Sequence, residues 1–184
     1  MSSPPPFFGK HLKKPDLLKK LSGGDRRSIG KSEEVVADVL TDARLFKPLF
    51  ECLLEDDPLV RMRAADAIEK ITGMRPEFLQ PFKSRLLRRV ALIDQPEVRW
   101  HVAQLVSRLE LTNGERKEVV ALMDGYLTDK SSIVRTYAMQ ALADVASKDA
   151  FLKPRIVKQL QKLTDEGTPA MQARGRKLLA RLIE

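Results

Sequence analysis

From residue 44 onward, apolar residues recur at spacings of three and four. The pattern is interrupted at Pro58, at Gly73 with Pro76, at Pro96, at Asn113-Gly114, from Lys130 to Ser132, and at Gly167 with Pro169. Such spacing puts apolar side chains on one side of a 3.6-residue helix, and no stretch alternates strictly over six residues as a half-buried strand would. The breaks carry residues that stop helices, because proline lacks the N–H that the preceding turn needs. The pattern predicts an all-α chain of about eight helices plus an N-terminal piece. Within that piece "PDLLKKL" (15–21) has the spacing of a short helix. "SEEVVADVL" opens another, with Ser32 as N-cap and Glu33 and Glu34 in the first turn, where unpaired N–H groups favour acids.

The pattern also repeats. "DDPLVRMRAADAIEKI" (56–71), "DQPEVRWHVAQLVSRL" (94–109), "KSSIVRTYAMQALADV" (130–145) and "GTPAMQARGRKLLARL" (167–182) align on Val60, Val98, Val134 and Met171, at intervals of 38, 36 and 37 residues. Four further offsets stay apolar or small in every copy: Ala64, Val102, Ala138 and Gly175; Ala67, Leu105, Ala141 and Leu178; Ile68, Val106, Leu142 and Leu179; Ile71, Leu109, Val145 and Leu182. Together they form one buried stripe per helix, and the small residues let neighbouring helices approach closely. An amphipathic segment precedes each copy, at 44–55, 77–92, 115–128 and 150–164, so the unit is a helix pair used four times.

The second helices resemble those of the HEAT-repeat family, which open on an acidic or polar residue, often with proline, then Val-Arg and spaced alanines. The matching residues are Asp56-Asp57-Pro58-Leu59-Val60-Arg61, Asp94-Gln95-Pro96-Glu97-Val98-Arg99 and Ser132-Ile133-Val134-Arg135; the last copy has Met171-Gln172 instead, which suits a terminal cap. The resemblance covers residues 44–184. It implies a right-handed, armadillo-like α-solenoid of about four HEAT-like helix pairs with an N-terminal cap segment. The organisation expected is a basic arm over 1–31 and a solenoid over 32–184.

In such a solenoid the second helices line the concave wall. Opposite their small-residue stripe lie Arg63, Asp66 and Lys70; His101, Gln104 and Arg108; Tyr137, Gln140 and Asp144; and Arg174, Lys177 and Arg181. Six of these twelve are Lys or Arg and two are Asp, which describes a mildly basic binding surface richest at its C-terminal end. Arg61, Arg99 and Arg135 recur at one offset and read as structural, tying adjacent units through carboxylates and carbonyls. Arg85, Arg88 and Arg89, and Arg155, Lys158 and Lys162, fall on first helices and read as solubilising. Trp100 reads as a packed residue at the margin of the stripe.

Charge changes the picture only locally. The formal net charge of 184 residues is +8, of which residues 1–32 carry +6. Most of the basicity therefore belongs to the leading segment, whose first fourteen residues, proline-rich and polar, read as a mobile arm. Cys52 is the single cysteine; it forms no internal disulfide, fits a reducing compartment, and reads as a small buried apolar residue. No apolar run suits a signal peptide or a membrane span, which favours a cytoplasmic location.

Catalytic motifs fare poorly. "GGDRRSIGKS" (23–32) ends like a phosphate-binding loop, yet the position five before Gly30 is Asp25 rather than glycine, and a helical segment rather than a strand precedes it. His101 has no second body histidine for a metal site and no placed nucleophile for a triad. The sequence thus predicts no cofactor, no metal and no enzyme. Its expected role is a non-catalytic scaffold or adaptor holding a protein partner along the concave wall. Nucleic acid on the same wall is the alternative. A more distant one is a HEAT-like alkylpurine DNA glycosylase using Trp100, Tyr137 and Asp66 or Asp144.

Overall fold

The computed structural model describes residues 13–24 and 30–183; the expected mobile arm lies, up to Leu12, outside the described residues. Those residues form ten α-helices and no strand: α1 (Lys14–Leu21), α2 (Ser32–Thr41), α3 (Phe46–Glu51), α4 (Pro58–Met74), α5 (Lys83–Arg88), α6 (Pro96–Val106), α7 (Asn113–Tyr126), α8 (Ser132–Lys148), α9 (Lys153–Glu166) and α10 (Pro169–Ile183). The chain is all-α.

Helix starts follow local chemistry. Proline is the first residue of α4, α6 and α10, where its missing N–H has no helical partner to lose. Asp57 Oδ1 accepts from Leu59 N (2.8 Å), and Thr112 and Glu115 form a reciprocal capping box on α7. The Ser32 expectation needs correcting. Ser32 is the first residue of α2 rather than its cap; it is fully buried, and its hydroxyl donates to Asp66 Oδ2 on α4 (3.2 Å). The segments 77–92 and 44–55 are also not single helices. Pro76 and Pro81 break the first into three-residue 3-10 turns around the six-residue α5, and 3-10 turns flank α3 in the second. Aromatic packing fills the space beside these short pieces: Phe46 meets Phe78 and Phe82 edge-on at 5.5 and 5.4 Å, and Phe82 stacks on Phe50 at 4.6 Å.

Helix α4 packs against α2 and α6, α6 against α8, and α8 against α10; α7 and α9 also pack on α8. All twenty residues of the aligned offsets are buried. Gly175 shows why one had to be small: a Cβ there would lie 1.9 Å from Thr164 Oγ1 on α9. The packed body starts earlier than residue 32, because Leu17 and Leu21 of α1 are fully buried and α1 touches α2, α3 and α4. Their i, i+4 spacing gives α1 an apolar edge that the surrounding lysines obscure in composition.

Candidate functional site

Two rows of polar residues cross the helices α4, α6, α8 and α10. The first begins with the recurrent arginines. Arg61 Nη1 donates to the carbonyls of Glu55 (2.7 Å) and Asp56 (3.0 Å), and its Nε to Gln95 Oε1 (2.8 Å); Gln95 Nε2 donates to Pro58 O (2.8 Å). One helix pair further, Arg99 Nη1 meets Asp129 Oδ2 (2.6 Å), and Arg135 Nη1 donates to Asp129 O (2.7 Å). Burial works against the Asp129 carboxylate, but the Ser131 N–H and the Arg99 guanidinium outweigh it and hold its pKa below the usual value. These arginines are structural ties, as their spacing suggests.

The second row contains the twelve candidate residues, and the structure divides them. Arg63 is 1% exposed and does not face an open surface. Its Nη1 donates to Leu21 O (2.8 Å) and Gly23 O (2.6 Å), so it plugs the connection between α1 and α2. Gly30 fits there because its φ is +58° and a Cβ would sit 2.8 Å from the Arg63 Cζ. Of the described glycines of "GGDRRSIGKS", Gly30 thus makes room for a guanidinium of the chain itself, whereas a Cβ at Gly23 would meet nothing within 4 Å; residues 25–29 lie outside the described residues. His101 is likewise buried. Its Nδ1 lies 2.6 Å from Glu97 O, and Trp100 Nε1 donates to Nε2 (3.4 Å), an arrangement that fixes a neutral ring protonated on Nδ1. Burial pushes the His101 pKa down. Both residues are corrections to the expected surface. Trp100 itself is half-buried against the core.

The remaining polar residues at this end are tied to neighbours. Lys70 pairs with Glu33 of α2 and with Asp66 (2.9 Å). Arg108 donates to the Glu69 carbonyl and to Thr72 Oγ1 (2.7 Å) and pairs with the Glu69 carboxylate, closing the C-terminal turn of α4. Gln104 is half-buried. Lys70 and Glu33 are 37 residues apart and Arg108 and Glu69 are 39 apart, close to the sequence repeat, so each cation reaches back about one repeat along the chain.

At the other end the same positions open. Arg174 Nη1 donates to Gln140 Oε1 (3.0 Å) while its guanidinium lies 5.9 Å from the Tyr137 ring centroid. Arg181 Nη2 meets Asp144 Oδ1 (2.6 Å), which also accepts from Gln140 Nε2 (3.0 Å). Lys177, between the two arginines, is exposed and makes no hydrogen bond or ion pair among the described residues. A cleft of about 220 Å³ adjoins Asp144, lined also by Ser107, Glu110, Arg116 and Lys148. Sequence reasoning missed it because its wall is the irregular loop after α6, where no periodicity applies. Arg176, exposed beside Gln161 and Asp165 of α9, was missed because it falls outside the repeat offset.

Charge separates the same two regions. Residues 153–183 contain eight Lys or Arg against Asp165 and Glu166, whereas residues 33–152 contain 17 Lys or Arg against 20 Asp or Glu. No group of three or more His, Cys, Asp or Glu that could hold a metal ion occurs among the described residues. Cys52 is buried, and that burial pushes its thiol pKa to about 12, which leaves it unreactive at neutral pH. No described helix is long and apolar enough to cross a membrane.

No family model and no curated protein matches the chain. Among solved structures, it is similar to a crystal structure of an engineered protein from the Northeast Structural Genomics Consortium. The TM-score is 0.63 at 20% identity, over 92% of this chain and 79% of that one. At that identity the likeness speaks to the all-helical fold alone.

Proposed function

We propose that the chain is a non-catalytic adaptor of the HEAT-like α-solenoid type, with α4, α6, α8 and α10 as its inner wall, and that it holds a protein partner there. The observation that carries this reading is the sequential packing of these four helices, with polar contacts at separations near the sequence repeat. Stacking of that kind leaves a continuous strip of side chains, the surface on which repeat proteins engage extended partners. A folded body whose middle carries more acids than bases also supports a protein partner over nucleic acid. A duplex presents one phosphate charge per ~1.7 Å and needs an extended basic path.

Photo-crosslinking residues placed at Gln104 and Lys177, with a control at the exposed Lys158 on α9, test the reading in extract from the native cell. Discrete protein adducts are expected at the first two positions and not at the third. Equal adducts at all three, or adducts removed by nuclease, contradict it.

A further inference from the structure

We infer that the binding determinant of this chain is the basic face of α10, and that its ligand is a short acidic peptide segment. This deepens the adaptor reading and rests on it. Three observations converge on that face.

Helix α10 carries Arg174, Arg176, Lys177 and Arg181 and no acid. Arg174, Lys177 and Arg181 fall at i, i+3 and i+7 on one side, and at a rise of 1.5 Å per residue they span about 10 Å. Carboxylates on a helical or extended segment match that interval.

The arginines are held in place before anything binds. Tyr137 and Gln140 hold Arg174, and Asp144 holds Arg181. Side chains already fixed lose less rotamer freedom on binding, which is where preorganised sites gain affinity. Lys177, free and exposed between them, supplies the unneutralised charge.

From residue 33 onward the surplus of positive charge is confined to α9 and α10, for residues 33–152 have three more acids than bases, and the basic leading segment is separated from α10 by that acidic stretch of sequence. A continuous polyanion would run from an attractive end into a repulsive middle. A segment of about two helical turns would not.

Asp144 gives the inference a second handle. It is the one acid among the six candidate residues on α8 and α10, and an incoming carboxylate competes with it for Arg181. Removing its charge should strengthen binding of an acidic ligand, which a purely structural role for the Asp144–Arg181 pair does not entail.

The test is fluorescence anisotropy of the full chain with a fluorescein-labelled oligoglutamate, at about 50 mM salt, where charge-driven binding is strongest. Lys177→Glu, which replaces one attraction with one repulsion, is expected to weaken binding about fivefold, and Asp144→Asn, which frees one arginine from one carboxylate, to strengthen it about twofold. Arg88→Glu/Arg89→Glu, on the α5 side, should stay within about twofold of wild type. Circular dichroism melts check that each variant is folded; Lys177 is exposed, so its variant should melt like wild type.

The inference is overturned if the wild-type chain does not bind oligoglutamate, if the α5 variant loses as much as Lys177→Glu, or if a short duplex binds more tightly with the same dependence on Lys177. Should oligoglutamate fail while protein adducts still form at Lys177, the adaptor reading stands and only the acidic ligand is wrong. If the adducts are absent as well, both fall.

Discussion

Helices α4 and α10 carry the same pattern of polar positions and put it to opposite uses. In α4 the first of these positions, Arg63, is buried beneath the α1–α2 connection, and Lys70 is tied to Glu33 and Asp66. In α10 the equivalent Arg174 is half-buried against Tyr137 and Gln140 and Arg181 is exposed, with Lys177 exposed between them and unpaired among the described residues. Between the two, His101 is buried and Tyr137 half-buried, so the position opens from one end of the molecule to the other. A repeated pattern places side chains at a common angle on each helix, but the neighbouring elements decide whether that angle meets backbone carbonyls or water. Near the N-terminus the polar stripe is cement, and near the C-terminus it is a surface.

Four substitutions should sharpen or break this contrast. The largest effect is expected at Arg63→Ala, which strands the Leu21 and Gly23 carbonyls; a loss of about 3 kcal/mol in urea unfolding is anticipated. A loss near zero would place Arg63 at the surface and erase the distinction. Next comes Arg108→Ala, which releases the C-terminal turn of α4 and should remove about 1.5 kcal/mol by the same measurement. Gly175→Ala probes the packed side of α10. Overpacking against Thr164 exceeds the gain in helix propensity, so a net loss of about 1 kcal/mol is expected. Smallest is Lys177→Ala, where unfolding should change by less than about 0.5 kcal/mol. A larger loss there would mean that α10 too uses its polar face to hold the fold.

Acid adds a check on the buried end. Burial lowers the His101 pKa below its ordinary 6.5, so on acidification the unfolded chain takes up the proton first. The stability contribution of the neutral ring is complete above that ordinary value and declines as pH falls toward the folded pKa. The urea midpoint should therefore drop between about pH 7.5 and pH 5. His101→Gln should flatten that part of the decline. An identical pH dependence in the variant would show that the ring is open to water.

Much of the fold was legible because it rests on periodicity. The offsets from Val60 to Leu182 are apolar at helical spacing and are buried throughout, and the role of Arg61, Arg99 and Arg135 followed from their place at helix starts beside acids and carbonyls. The first helices were harder, since Pro81 lies inside the pattern of 77–92, which reads as one amphipathic segment while the chain turns through 3-10 geometry. The candidate surface was only half legible. Offsets alone identify Arg63 and His101 as opposite the small-residue stripe, but Arg63 is buried by the α1–α2 connection outside the repeat, and His101 folds back onto Glu97 and Trp100 of its own helix beside α4. In particular, α1 and α2 lack the Val-Arg signature and so gave no sign that they cover α4. Helix α10 packs on α8 and α9, and of the six candidate residues at that end Lys177 and Arg181 are exposed while Arg174, Tyr137, Gln140 and Asp144 are half-buried.

The contrast between the two ends is most directly tested by residue-resolved NMR of the full chain titrated with oligoglutamate. Shift changes concentrated in α8 and α10, with α2 and α4 silent, are the expected result. Changes spread evenly over α4, α6, α8 and α10, or confined to α2 and α4, would contradict it.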